Sequence, residues 1–166
     1  MKLFVTLPLH TGSAIVDDVL AIARRESLHP ITVVVVDAGG KLVAMKSEDG
    51  SGLLRFGVAF GKAWGALGMG ISSRLIRDRL SARPVFQNAL IAASGGQLVP
   101  VPGGVLIENN EGYTIGAVGI SGDTSEKDEY CAIAAIQKNG LQSEPAEADK
   151  AWRDSNLSDQ PHYKNS

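Results

Sequence analysis

The chain has 166 residues, enough for one domain with a real core. A hydrophobic content of 44% against 20% charged residues is ordinary for a globular protein, and a formal net charge of −2 argues against nucleic acid as the main partner. The single Cys131 excludes an internal disulfide, and no apolar run approaches the ~20 residues that a membrane-spanning helix needs.

These features predict a cytoplasmic protein with no membrane partner. The opening MKLFVTLPLH lacks a clean small-residue cleavage pattern and reads as an ordered segment rather than a secretory signal. Residues 13–28 place Ile15, Val16, Val19, Leu20, Ile22 and Ala23 on one helical face, with charges opposite. The period then changes. Ile31 to Val36 is a β-branched run between Pro30 and the turn residues 37–40, and Leu42 to Met45 resumes it. That pattern predicts a β-hairpin whose first strand is buried on both faces.

Residues 53–69 predict a helix in which Gly57, Gly61 and Gly65 recur every fourth position and so share a face. Each interior glycine costs about 1 kcal/mol relative to Ala, so that face calls for a closely packed backbone or a flat ligand. The helical pattern continues through "ISSRLIRDRLSARPVFQNALIAA". There Arg74, Arg77 and Arg79, with Asp78 among them, read as a solvated face. Arg83, at the break before Pro84, reads as the arginine with a special task. Strands are expected near 97–100, 103–108 and 113–120, followed by a last helix from Thr124 to Asn139 that ends at Gly140. The order α–β–β–α–α–β–β–β–α predicts an α+β domain over residues 1–140: a five-stranded, mostly antiparallel sheet flanked by helices. Residues 141–166 read as a polar tail whose Trp152 and Tyr163 suit an arm lying along a neighbouring surface.

His10, His29, His162 and Cys131 lie far apart without ligand spacing, and the acidic segment does not fit a calcium loop, so no metal site is expected. Neither glycine-rich nucleotide fingerprint occurs, and no G-x-S-x-G elbow marks a serine nucleophile. Two features remain. The Pro102-Gly103-Gly104 turn at a strand entrance can leave amides open to a carboxylate or phosphate oxygen, or can be a plain connection. The second is "GAVGISGDTSEKDE", residues 116–129. Asp123 and Glu126 have the spacing of a capping box, and Asp128 lies one turn on, where a carboxylate gains from the helix end. Glu129 shares a face with Ala132, Ile133 and Ile136, which pushes it to the core edge. There it needs a partner such as Lys62 or Arg83, or a ligand.

Together, "TVVVVDAGGKLVAMKSEDG", "FGKAW", "ARPVFQNAL…SGGQLVPVPGGVLI" and "GAVGISGDTSEKDE" resemble the GlcG/HbpS family, also described as the haem-degrading or PduO C-terminal-like domain. The match runs in order from about residue 11 to 140. The resemblance implies a five-stranded antiparallel sheet flanked by helices, and dimers or larger homo-oligomers with pockets at subunit contacts. Members include haem-binding and corrinoid-associated proteins, and others are implicated in hydrolytic steps on ring-opened, unsaturated dicarboxylic acids. The family's GKA falls on Lys62, its PGG on Gly103 and Gly104, and its DE on Asp128 and Glu129. Neither His10 nor His29 falls in a motif that carries over as a haem ligand.

Two readings of function follow. In one, the chain holds a small anionic ligand (haem, another tetrapyrrole or an organic acid) with Lys62, Arg83, Gly103, Gly104, Thr124 and Glu129; haem is then a candidate cofactor, and none is required. In the other, a metal-free hydrolase or lyase acts on a muconate-like dicarboxylate by a dechlorinating, deaminating or proton-transfer step. Lys62 or Arg83 then holds the carboxylate, and Glu129 or Asp128 activates water or moves the proton.

Overall fold

The structure, a computed structural model, describes residues 3–157. The elements in chain order are α1 (Leu9–Arg25), β1 (Thr32–Asp37), β2 (Leu42–Ser47), α2 (Arg55–Met69), α3 (Ser73–Leu80), α4 (Pro84–Ala93), β3 (Gly104–Glu108), β4 (Thr114–Ser121), α5 (Ser125–Lys138) and β5 (Gln142–Glu144). A short 3-10 turn follows at Trp152–Asp154.

The strands form one antiparallel sheet in the order β2-β1-β4-β3-β5. Because side chains alternate across a strand, the valine run of β1 feeds two cores at once. Val33 and Val35, with Val105, Ile107, Val118 and Ile120, pack against the Ile15/Val16/Val19 face of α1 and the Ala132/Ile133/Ile136 face of α5. Val34 and Val36, with Leu106 and Ala117, face Ala59, Ala63 and Ala66 of α2. The second core is built from small residues, so α2 lies almost on the sheet. A Cβ at Gly119 of β4 would overlap the Ala59 carbonyl. The hairpin, its doubly buried first strand and the α+β architecture match the sequence expectation.

Three expectations change. Helix α1 begins at Leu9, after the extended Pro8, four residues before the predicted start. Gly12 weakens the helical signal there, yet its bare Cα lets the first turn rest on Val43. Residues 97–100 are not a strand. They run as an extended segment across α2, where Val99 N–H donates to the Gly61 carbonyl at 3.4 Å. A Cβ at Gly61 would overlap the Gln97 carbonyl, and one at Gly65 would press into Leu98. The glycine face is thus filled by the chain's own backbone at two of its three positions, while Gly57 is open. The fifth strand is β5, pairing Ser143 with Ile107 of β3, in the stretch read as tail. Three polar residues carry no strand period, and only the free edge of β3 gives them one.

The chain after β5 folds back onto its own helix α5. Trp152 stacks on Tyr130 with ring centroids 3.7 Å apart, Ser155 Oγ lies 2.6 Å from Thr124 Oγ1, and Arg153 pairs with Glu26 at 2.9 Å. Tyr163, the other proposed anchor of the arm, lies outside the described residues. Among the described residues, no helix is long and apolar enough to cross a membrane.

Candidate functional site

The start of α5 is where β4 ends, and there the capping pattern sits one residue later than its sequence suggests. Thr124, extended at φ −63° and ψ 150°, is the N-cap, and its Oγ1 accepts from Lys127 N–H at 3.4 Å. Asp123 turns away from the helix to accept from the His29 amide at 2.9 Å and the Thr124 amide at 2.7 Å. Burial raises its pKa, but those two amides and Lys127 outweigh it and hold the carboxyl below its ordinary value. Glu126 does not reach back as a capping box requires. It reaches across to Arg77 at 3.4 Å. The reciprocal contact comes from Asp128, whose Oδ1 accepts from the Asp123 amide at 3.3 Å.

Asp128 and Lys62 form an ion pair at 3.0 Å with side chains only 1% and 2% exposed. Lys62 reaches it from α2 and also donates to the Ile120 carbonyl at 2.8 Å. Burial pushes the Asp128 carboxyl up, against the pull of Lys62. The Pro102-Gly103-Gly104 turn closes over this pair. Gly103 has φ 109°, and a Cβ there would meet Lys62 Nζ at 2.9 Å and Asp128 Cβ at 3.1 Å. The Gly104 amide, a candidate anion donor by sequence, is spent on Ser73 Oγ at 2.7 Å. Lys62, Asp128, Gly103 and Gly104 thus lie together, but Lys62 and Asp128 pair with each other and the Gly104 amide is taken by Ser73.

Glu129 is different. Its side chain is 0% exposed, and neither Oε1 nor Oε2 accepts a hydrogen bond from any group of the protein among the described residues. The partner expected at Lys62 or Arg83 is instead Arg74, whose Nη1 lies 3.3 Å from Oε2, close enough to attract but not aligned to donate. Burial pushes the Glu129 carboxyl up to about 7, with Arg74 and Arg77 pulling against it and Glu126 and Asp149 adding to it. Arg83 is exposed, with its guanidinium 4.6 Å above the Phe86 ring, because the break at Pro84 points it outward.

Sequence reasoning missed Arg74 and Arg77, which it placed on a solvated face. Helix α3 buries Ser73, Ile76 and Leu80, so positions 74 and 77 flank that face and lean over α5. The helix is tied to the segment after β5. Glu144 accepts from the Ser72 amide at 2.5 Å and from Ser72 Oγ at 3.3 Å, and Arg74 Nη2 donates to the Glu147 carbonyl at 2.8 Å. Arg74 therefore bridges Glu129 and that segment. On the outer side, residues 146–150 and Tyr130, Ile133 and Gln137 enclose a hollow of about 310 Å³.

Among the described residues, the most apolar of the clefts is too small for a haem. The apolar cleft between α2 and α4, lined by Trp64, Met69, Leu90 and Leu98, measures about 170 Å³, and His10 stands exposed away from it on α1. Among the described residues, no three His, Cys, Asp or Glu side chains gather as a metal ion requires.

Comparison with solved structures returned the same architecture. The PduOC–heme complex superposes with a TM-score of 0.75 at 25% identity, covering 83% of this chain and 98% of that one. Klebsiella pneumoniae ORFY gives a TM-score of 0.74 at 23% identity, covering 84% of this chain and 94% of the other. A double mutant of Streptomyces reticuli HbpS gives 0.70 at 20% identity, covering 83% and 90%. No curated protein matched. The family model described as "haem degrading protein HbpS-like" matches residues 7–137, which span both cores and the start of α5 with its carboxylates. With most of its length matched in sequence and its fold shared with those structures, the chain belongs to the HbpS-like family.

Proposed function

We propose that this chain binds a small organic acid at the junction of α3 and α5, with Arg74 and Arg77 as the cationic groups that hold the carboxylate. The observation that carries this reading is Glu129: a fully buried carboxyl whose two oxygens lack hydrogen-bond donors, next to a guanidinium not aligned to it. Buried polar atoms without partners are rare in a native interior and call for a specific explanation, such as a catalytic role or a bound group that completes the site. The Lys62–Asp128 pair and the Gly103-Gly104 turn fix α2 and β3 against α5, and so hold the ligand-facing groups in place. The PduOC structure is a complex with heme, whose propionates are also carboxylates. That likeness supports an anionic ligand.

Thermal shift with a panel of mono- and dicarboxylates and with hemin tests this reading. Stabilisation by carboxylates that disappears in Arg74→Met is expected. A Soret shift with saturation by hemin and no response to small acids would replace the organic acid with haem.

A second reading, catalysis, is favoured by the Glu129 carboxyl at about 7, where a group can both take and give a proton near neutral pH. In it, Glu129 moves a proton or activates water on an unsaturated dicarboxylate held by Arg74. Glu129→Gln then keeps ligand binding and loses turnover by about 100-fold or more. Assembly belongs to the same proposal: helix α4 has no buried residue, and a second copy of the chain is the surface that covers it.

A further inference from the structure

The two oxygens of Glu129 constrain the chemistry of the ligand more narrowly than the arginines do. Both are acceptors when the group is ionised, both are buried, and neither meets a donor within the protein among the described residues. Arg74 supplies charge at 3.3 Å without a hydrogen bond, while its Nη2 is spent on the Glu147 carbonyl at 2.8 Å. Where Glu129 is ionised, a simple carboxylate entering here would meet Arg74 but bring a second set of acceptors to Glu129 and leave it as unsatisfied as before. A ligand that completes the site brings a donor.

We propose that the acid bound here carries an O–H or N–H group beside its carboxylate, as a hydroxy acid or amino acid does. The carboxylate takes the place of the Glu147 carbonyl on Arg74, and the donor serves Glu129. Entry is from the hollow beside Tyr130 and Ile133, by displacement of residues 146–149, which are held by the Arg74–Glu147 bond, by Gln137 Nε2 donating to the Ala146 carbonyl at 2.7 Å and by the packing of Ala148. A site built to pair with a substrate donor rejects the analogue lacking it far more strongly than a hydrophobic pocket rejects a missing methylene, because a buried acceptor is then left bare.

This inference rests on the carboxylate-binding reading, and three matched four-carbon acids separate the two. Calorimetric titration of the full chain at pH 7.5 with succinate, malate and aspartate is expected to give binding at least about tenfold tighter for malate and aspartate than for succinate. In Glu129→Gln, whose amide brings its own donor, that preference collapses to about twofold or less, while Arg74→Lys weakens all the acids that bind. Equal affinities on the wild-type chain overturn the donor requirement and leave carboxylate binding standing. Absence of binding by all three acids overturns both. The wild-type comparison decides the matter even if the Glu129 variant does not fold.

Discussion

Glu129, with an ordinary carboxyl pKa of 4.5 that folding pushes up to about 7, makes stability depend on pH between those values. Within that window the folded chain holds a proton that the unfolded chain has released. The contribution of this group therefore falls as pH rises from 4.5 to 7 and is level above. The difference, 7 − 4.5 = 2.5 pH units, corresponds to about 3 kcal/mol. Glu129→Gln keeps the shape without the titration. It is expected to match wild type near pH 4.5 and to exceed it by up to about 3 kcal/mol at pH 8, read from denaturant melts at both values. A difference independent of pH sinks the assignment. The neighbouring pair behaves in the opposite way: Lys62→Met strands Asp128 in the interior and should cost about 3–5 kcal/mol. Adding Asp128→Asn, which keeps an acceptor for the Asp123 amide, recovers most of that loss. All three of these residues were singled out in the sequence, Glu129 and Asp128 by their places on the last helix and Lys62 as a partner for Glu129 and by the family resemblance. Their pairing was not, because Arg74 reaches Glu129 only once α3 is set in place by its packing on α2 and β3.

Among the elements, α2 shows what a glycine spacing does and does not say. The three residues share a face, yet only Gly61 and Gly65 meet the 97–99 segment, whereas a side chain at Gly57 would enter open space. Gly57→Ala should therefore stabilise the chain by about 1 kcal/mol through helix propensity alone. Gly61→Ala forces the Gln97 carbonyl and Val99 off the helix and should cost about 1–3 kcal/mol. Thermal melts of the two variants moving in opposite directions check both claims, and a common direction contradicts them. Elements with strong periods, β1 and α5 above all, were readable to within a residue or two. The short apolar run at 97–100 misled because a segment pressed on a helix can carry the same residues as a buried strand, and β5 was invisible because its partner, not its composition, makes it a strand.

At the scale of the whole molecule, the two cores account for α1, α2 and α5 but leave α4 without a reason to be apolar. Apart from Pro84, Gln87 and Asn88, every residue of that helix is apolar, and none of the ten is buried. Only Leu90 and Ile91 lean on the small Ile76/Leu80/Leu98 cluster, while Val85 is 84% and Phe86 42% exposed. A folded chain gains nothing by presenting such a helix to water, and large exposed apolar surface marks association sites. A contact between copies related by a two-fold axis would bury the patch twice, which brings a ten-residue helix nearer the area that a stable interface needs. Arg83, stacked on Phe86, would then stand at the rim, where an arginine on an aromatic ring is favourable. Sedimentation of the wild-type chain is expected to give a multiple of its 17.4 kDa mass. Val85→Glu with Phe86→Glu should lower it towards that mass without unfolding the sheet, because neither side chain enters a core. A wild-type chain that sediments as a monomer at micromolar concentration, or a double variant that assembles normally, removes α4 from the interface.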